Sequence, residues 1–76
     1  MPDKVCIKDI GVKEFFSFDF PPTLKNTYLR AGIGEENEIP VYDYTGCPLL
    51  AGDWQLVYPV SKDVGNRLFT NGRDNS

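Results

Sequence analysis

Histidine is absent from this chain of 76 residues. Histidine is the usual general base near neutral pH and the commonest metal ligand in proteins. Its absence excludes a Ser-His-Asp or Cys-His catalytic site within one chain. A Cys-Lys or Ser-Lys pair is chemically possible, but no residue pattern singles one out. We therefore expect a protein without enzymatic activity.

Cysteine is scarce, and long hydrophobic runs are missing. Cys6 and Cys47 lie far apart in the sequence, and neither belongs to a CxxC pair. Because a structural zinc site needs four nitrogen or sulfur ligands, we expect two buried free thiols, no metal and no cofactor. The longest apolar stretches span only a few residues, far short of the ~20 that a membrane-spanning helix needs. The charged start of the chain has no signal-peptide pattern, which favours a cytoplasmic protein without membrane contact.

Lysine and arginine are missing between Arg30 and Lys62, a stretch that carries five acidic residues. The segments on either side each sum to +1, so the net charge of −3 is +1 − 5 + 1 and all the excess acid lies in the middle. An acidic surface repels nucleic acid phosphates and attracts a basic partner. The same stretch holds residue types that often anchor protein–protein contacts. These aromatic residues are Tyr42, Tyr44, Trp54 and Tyr58.

Glycine and proline occur along the whole chain and leave uninterrupted segments of about five to ten residues, a spacing typical of strands. The length allows one domain, which we assign to residues 1–70, with a polar and frayed tail at residues 71–76. The pattern predicts a β-rich α+β fold. We expect a small antiparallel sheet or partly open barrel of four to five short strands, with one or two short helical turns.

Alternating phenylalanines predict the clearest strand, at residues 16–20, with Phe16, Phe18 and Phe20 on one face. That row either fills the core or forms an exposed patch. Three further segments are predicted strands, and the residues 45–52 between two of them are predicted to be a connection. These strand segments are residues 5–10, 39–44 and 53–60.

Two segments have helical signals. Thr23 follows two prolines and is a candidate cap for a helix ending near Gly32, although residues 27–29 are also good strand formers. Ser61 is a candidate cap for a second helix of one or two turns, in which Val64 and Leu68 share a face. Gly65 inside that second helix costs ~1 kcal/mol relative to alanine.

These patterns favour a non-enzymatic protein-binding module. It would be a small inhibitor or regulator of the kind that phage and mobile elements encode, and it would present an acidic, tyrosine-bearing surface to a basic site on a larger protein. One alternative is an assembly subunit such as a small virion component, and another is a small β-barrel that binds single-stranded nucleic acid through the phenylalanine row. The predicted binding residues are Glu35, Glu36, Glu38, Tyr42, Asp43, Tyr44 and Asp53.

Overall fold

A computed structural model describes the backbone of residues 3–74 and the side chains of residues 3–70. It contains six β-strands, a short 3-10 turn after the first strand, and one helix at the end of the chain. The elements are β1 (Val5–Cys6), the 3-10 turn (Ile7–Asp9), β2 (Phe15–Ser17), β3 (Thr27–Arg30), β4 (Glu38–Tyr42), β5 (Pro48–Gly52), β6 (Leu56–Val60) and α1 (Lys62–Asp74).

All six strands form one antiparallel sheet in the order β1-β6-β2-β3-β4-β5. The predicted β-rich α+β class agrees with this architecture, although the strand count is six rather than four or five. The sheet is open: β1 and β5 are its two edges, and neither pairs with the other.

The sheet must curl strongly, because β5 lies at one edge and the next strand along the chain, β6, lies near the other. Strands spaced about 4.8 Å apart would place β5 and β6 about 19 Å apart on a flat sheet. Only residues 53–55 connect them, and that much chain spans at most about 14 Å. The connection also joins the two ends of the sheet directly, since Asp53 N donates to Asn37 O (2.9 Å) and Ile7 N donates to Gln55 O (3.0 Å).

Strand pairing defines two faces of the sheet. One row of directly opposed residues crosses five strands on the face that we call the outer face, and it consists of Val60, Phe15, Leu29, Tyr42 and Pro48. The opposite, inner face carries the main hydrophobic core. Its buried residues are Ile7, Ile10, Phe16, Ile39, Val41 and Val57, with Val5, Phe18, Tyr28 and Ala51 packed against them.

Helix α1 covers one end of the outer face. The ring of Phe69 packs edge-on against Phe15, with ring centroids 5.1 Å apart. Gly65 lies against the same ring so closely that a Cβ there would overlap it. The predicted cap is confirmed, because Ser61 Oγ accepts a hydrogen bond from Val64 N at 3.3 Å. The helix is nevertheless 13 residues long rather than one or two turns, and it extends into the segment predicted to be a frayed tail.

Two predictions of local structure are wrong. Residues 45–52 are not merely a connection, because residues 48–52 form β5 and pair with all of β4. The segment after Thr23 is a turn followed by β3, not a helix. The Thr23 hydroxyl makes no capping hydrogen bond; instead Thr23 N donates to Asn26 Oδ1 at 2.7 Å, which closes the turn.

The phenylalanine row is also divided. Strand β2 ends at Ser17, so the alternation that placed three rings on one face stops after the first of them. Phe16 is fully buried and Phe18 is half-buried against the core, whereas Phe20 is exposed and packs near Tyr58. The two rings in or against the core are therefore not available as a stacking platform for nucleic acid bases. Both cysteines are free thiols as expected, but neither is buried: Cys6 is half-buried and Cys47 is exposed.

Candidate functional site

The outer face is open over β4 and β5, beyond the end of the sheet that α1 covers. Ile33, from the β3–β4 connection, is 83% exposed, and Leu50 on β5 is 66% exposed. Together with Pro40 they line a shallow depression of about 300 Å³. Trp54 is 71% exposed, and its indole lies over Gly52 on the same face. We call these four side chains, Ile33, Pro40, Leu50 and Trp54, the apolar patch.

Residues 35–38 form a tight hairpin beside the apolar patch, which we call the acidic hairpin. Glu35 and Glu38 exchange both backbone hydrogen bonds, each at 2.9 Å. The two central residues, Glu36 and Asn37, have positive φ angles of 49° and 70°, as a two-residue turn of this hand requires. All three glutamates are exposed, and Glu35 and Glu38 line the same depression as Leu50. The hairpin thus holds three carboxylates at the rim of exposed apolar surface.

Tyr42 lies at the far end of β4 from Glu38, four residues along the strand and on the same outer face. At about 3.4 Å per residue, roughly 14 Å separates their Cα atoms. Tyr42 is 40% exposed, whereas Tyr44 is half-buried in the turn that follows the strand. The structure therefore places one of the two predicted tyrosine contacts on the open face and the other in a turn.

Asp43 has a structural role in the β4–β5 turn. Its Oδ1 accepts hydrogen bonds from Thr45 Oγ1 (2.6 Å), Thr45 N (2.9 Å) and Cys47 N (3.0 Å). The Thr45 hydroxyl is the largest cause of a pKa for Asp43 below its ordinary value. Desolvation, the second-largest effect, raises that pKa, and the backbone N–H groups of Cys47, Thr45 and Gly46 each lower it. The carboxylate is therefore committed to closing the turn that brings β5 onto β4.

The Asp43 turn predicts a specific pH dependence of stability. A carboxyl group whose pKa is lower in the folded state stabilises the fold above its unfolded pKa and loses that contribution as pH falls through its folded pKa. We expect Asp43→Asn to lower the free energy of unfolding at pH 6, and the difference from wild type to shrink as pH falls below about 4. Urea unfolding at both pH values measures this. Glu36→Gln is the control, because it removes an exposed carboxylate outside the turn. A pH-independent difference between Asp43→Asn and wild type would contradict the assignment.

Asp53 is joined to the acidic hairpin through its backbone, since its N–H donates to Asn37 O (2.9 Å), but it does not line the depression beside Leu50. It is half-buried in the β5–β6 connection and lines a depression that also includes Lys8 and Arg30. The same depression includes Asn37 and Glu38 of the acidic hairpin. The seven predicted binding residues are divided by the structure. Glu35, Glu36 and Glu38 come together, Tyr42 lies on the same open face, Asp43 and Tyr44 lie in the β4–β5 turn, and Asp53 lines a different depression that Glu38 also borders.

A second depression, of about 400 Å³, lies between α1 and the outer face. Its charged lining residues are Lys13, Arg30 and Lys62, which are distant in sequence. The Arg30 guanidinium is engaged with the backbone, since it donates to the carbonyl oxygens of Gly32 (3.1 Å), Lys8 (3.2 Å) and Ile10. Arg30 is directly opposite Val41 of the inner face, so Lys13 and Lys62 are the two cationic residues that the outer face has beside α1, away from the acidic hairpin.

Comparisons with protein-family models, curated proteins and solved structures find no match to this chain. Within residues 3–74, no helix is long and apolar enough to cross a membrane. The described residues also contain no group of three or more His, Cys, Asp or Glu side chains placed to hold a metal ion. The geometry of the open face is therefore the main guide to function.

Sequence reasoning missed three members of the apolar patch: Ile33, Pro40 and Leu50. Ile33 is a single apolar residue between two glycines, and its exposure depends on how the β3–β4 connection folds. Leu50 lies in the segment that the sequence predicts to be a connection. A signal for β5 was nonetheless present, since an Asp followed two residues later by Thr and then Gly is typical of a tight side-chain-closed turn, after which pairing resumes.

Proposed function

We propose that this chain is a non-enzymatic protein-binding module, a small inhibitor or regulator that binds a basic site on a larger protein. The observation that carries the proposal is the open part of the outer face, where the exposed apolar patch lies beside the acidic hairpin. Contiguous exposed apolar surface with a polar rim is typical of protein interaction sites. A rim of one charge sign adds partner selection and faster association.

The two components have different expected roles. Trp54 and Leu50 offer large apolar side chains that lose contact with water on binding, and tryptophan is among the residues most often found to dominate binding energy. Glu35, Glu36 and Glu38 lie on the rim, where charge acts mainly on the association rate. The sequence predicts a surface centred on Tyr42 and Tyr44. This proposal makes Trp54 the main aromatic contact, keeps Tyr42 at the margin and leaves Tyr44 out.

The test uses four versions of the protein as bait in nuclease-treated lysate of the source organism or its host. They are wild type, Trp54→Ala, a triple reversal at the hairpin (Glu35→Lys, Glu36→Lys, Glu38→Lys) and a control reversal (Asp3→Lys, Asp9→Lys, Asp19→Lys). The control acids are exposed and lie outside β4, β5 and the hairpin. Both triple variants carry the same net charge, so a difference between them reports position rather than total charge.

We expect one protein to be retained by wild type and by the control reversal, and to be lost from Trp54→Ala and the hairpin reversal. With that protein purified, the hairpin reversal should slow association at least about tenfold at low salt, because long-range attraction becomes repulsion. Trp54→Ala should act mainly on dissociation. Equal retention on all four baits would contradict the proposal.

A further inference from the structure

Strand β5 is an edge of the sheet with little protection against pairing. Its five residues, Pro48–Gly52, carry no charge, and they pair with β4 along one side only. Natural edge strands are usually shortened, charged or interrupted to prevent association. The other edge of this sheet follows that rule, since β1 has only two residues and lies between the exposed Lys4 and Lys8. Of the two edges, β5 is therefore the less protected against pairing with another strand.

The direction of each backbone group on β5 follows from the register. In an antiparallel pair, alternate residues bond to the neighbouring strand and the residues between them point away. Hydrogen bonds join Asp43 N to Cys47 O (3.3 Å) and Asp53 N to Asn37 O (2.9 Å) at the two ends of the β4–β5 ladder. Odd-numbered residues therefore bond across this ladder, and Pro48, Leu50 and Gly52 direct their backbone groups to the free edge.

The free edge has a specific set of donors and acceptors. Leu50 presents both its N–H and its C=O, whereas Pro48 has only a C=O to present because proline lacks an N–H. Gly52 presents its N–H, and its C=O already accepts a hydrogen bond from Gln55 N at 3.2 Å. Pro48 thus has no N–H to donate at one end of the strand, and Gly52 has no free C=O to accept at the other end.

This pattern is complementary to itself, and we propose that β5 pairs antiparallel with β5 of a second copy of the chain, on a two-fold axis at Leu50. In that register Leu50 is opposite Leu50 and Pro48 is opposite Gly52, so both edge donors of each copy meet both edge acceptors of the other. A two-fold contact of this kind uses the same surface on both copies and closes at a dimer.

Side chains and charges permit the same arrangement. No charged residue occurs from Tyr44 to Gly52, so no like charges face each other across the pair. The two Leu50 side chains become neighbours on the outer face, and Pro48 approaches the Trp54 indole that covers Gly52 of the other copy. The dimer goes beyond the proposed function and does not rest on it, although Leu50 and Trp54 contribute to both surfaces. It joins two open outer faces edge to edge and leaves each acidic hairpin at the periphery.

The test measures the oligomeric state and the exchange of single amides in the full chain. Sedimentation should show the 8.6 kDa monomer converting to a species of twice that mass as concentration rises. The amide protons of Leu50 and Gly52 should exchange more slowly in the same concentration range. Leu50→Lys places a charge on the axis, and Leu50→Pro removes the outward N–H without breaking a bond to β4. Each should raise the dimer dissociation constant at least tenfold.

Leu56→Lys is the matched control, since Leu56 is also an exposed leucine, at 55%, but lies on β6. It should dimerise like wild type, and circular dichroism should show that all variants fold. A protein that stays monomeric up to about 1 mM, a limit of roughly −4 kcal/mol in association free energy, would overturn the proposal. A dimer that persists unchanged in Leu50→Lys and Leu50→Pro, without concentration-dependent protection of the Leu50 amide, would also overturn it.

Discussion

Replacing Phe16 with alanine is expected to lower the free energy of unfolding by about 3–5 kcal/mol, the usual cost of removing a buried phenylalanine ring. Phe16 is fully buried on the inner face, and its ring packs with those of Phe18 (5.6 Å between centroids) and Tyr28 (6.0 Å). Removing it leaves a cavity between β2 and β3 that the curled sheet closes only partly. Because a domain of 76 residues has a total stability of about 4–11 kcal/mol, this is a large fraction of it.

Urea unfolding followed by circular dichroism measures the Phe16→Ala effect. Trp54→Ala is the paired comparison, because it removes a larger ring from a side chain that is 71% exposed. We expect that substitution to change stability by less than about 1 kcal/mol. Comparing the two changes in the free energy of unfolding shows whether burial or the size of the side chain determines the cost. A Trp54→Ala cost as large as that of Phe16→Ala would place the indole in the core and remove it from the proposed binding surface.

Replacing Gly65 with alanine is expected to destabilise the protein by about 1–3 kcal/mol, as overpacking usually does. Considered as a helix alone, α1 should gain ~1 kcal/mol from this change, because glycine is a poor helix former. The tertiary contact reverses the sign: the added Cβ overlaps the Phe15 ring, and Phe15 is itself held by Phe69. The helix must therefore move away from β2 or unpack Phe69.

Asn66→Ala is the control for the Gly65 substitution. Asn66 is the next residue in the same helix and is exposed, so alanine there should be neutral or slightly stabilising. Chemical unfolding of both variants gives the comparison. If Gly65→Ala raised stability by the ~1 kcal/mol that helix propensity alone predicts, the close packing of α1 on Phe15 would be wrong.

The two predicted helix caps show where local sequence rules apply and where they fail. The cap at Ser61 was predictable, because the hydroxyl acceptor and the N–H it receives are three residues apart. The helix predicted after Thr23 does not form, although its spacing looked similar. Residues 27–30 pair with both β2 and β4. The hydrogen bonds of these two strand pairs stabilise the segment more than a short isolated helix would.

The candidate site likewise has features that were predictable from the sequence and features that depend on the fold. The three glutamates of the acidic hairpin are adjacent in sequence, so their grouping was predictable from the sequence. Asp43 and Asp53 looked equivalent to them as charges, but one closes a turn through its side chain and the other lies near Lys8 and Arg30. The role of Asp43 is local, because its partners are two and four residues away, whereas the half-buried position of Asp53 depends on how the β5–β6 connection meets distant parts of the chain.

By itself, the sequence determined a β-rich single domain, the absence of histidine chemistry, and an excess of acid confined to the middle of the chain. These follow from composition and from short-range spacing, which do not depend on how the chain closes on itself. Only the tertiary structure decided that β5 exists and is an open edge, that Phe16 is inside while Trp54 is outside, and that Ile33 and Leu50 meet beside the acidic hairpin. The reason is physical: register and curl assign each side chain to a face, and both are set by pairing between segments far apart in sequence.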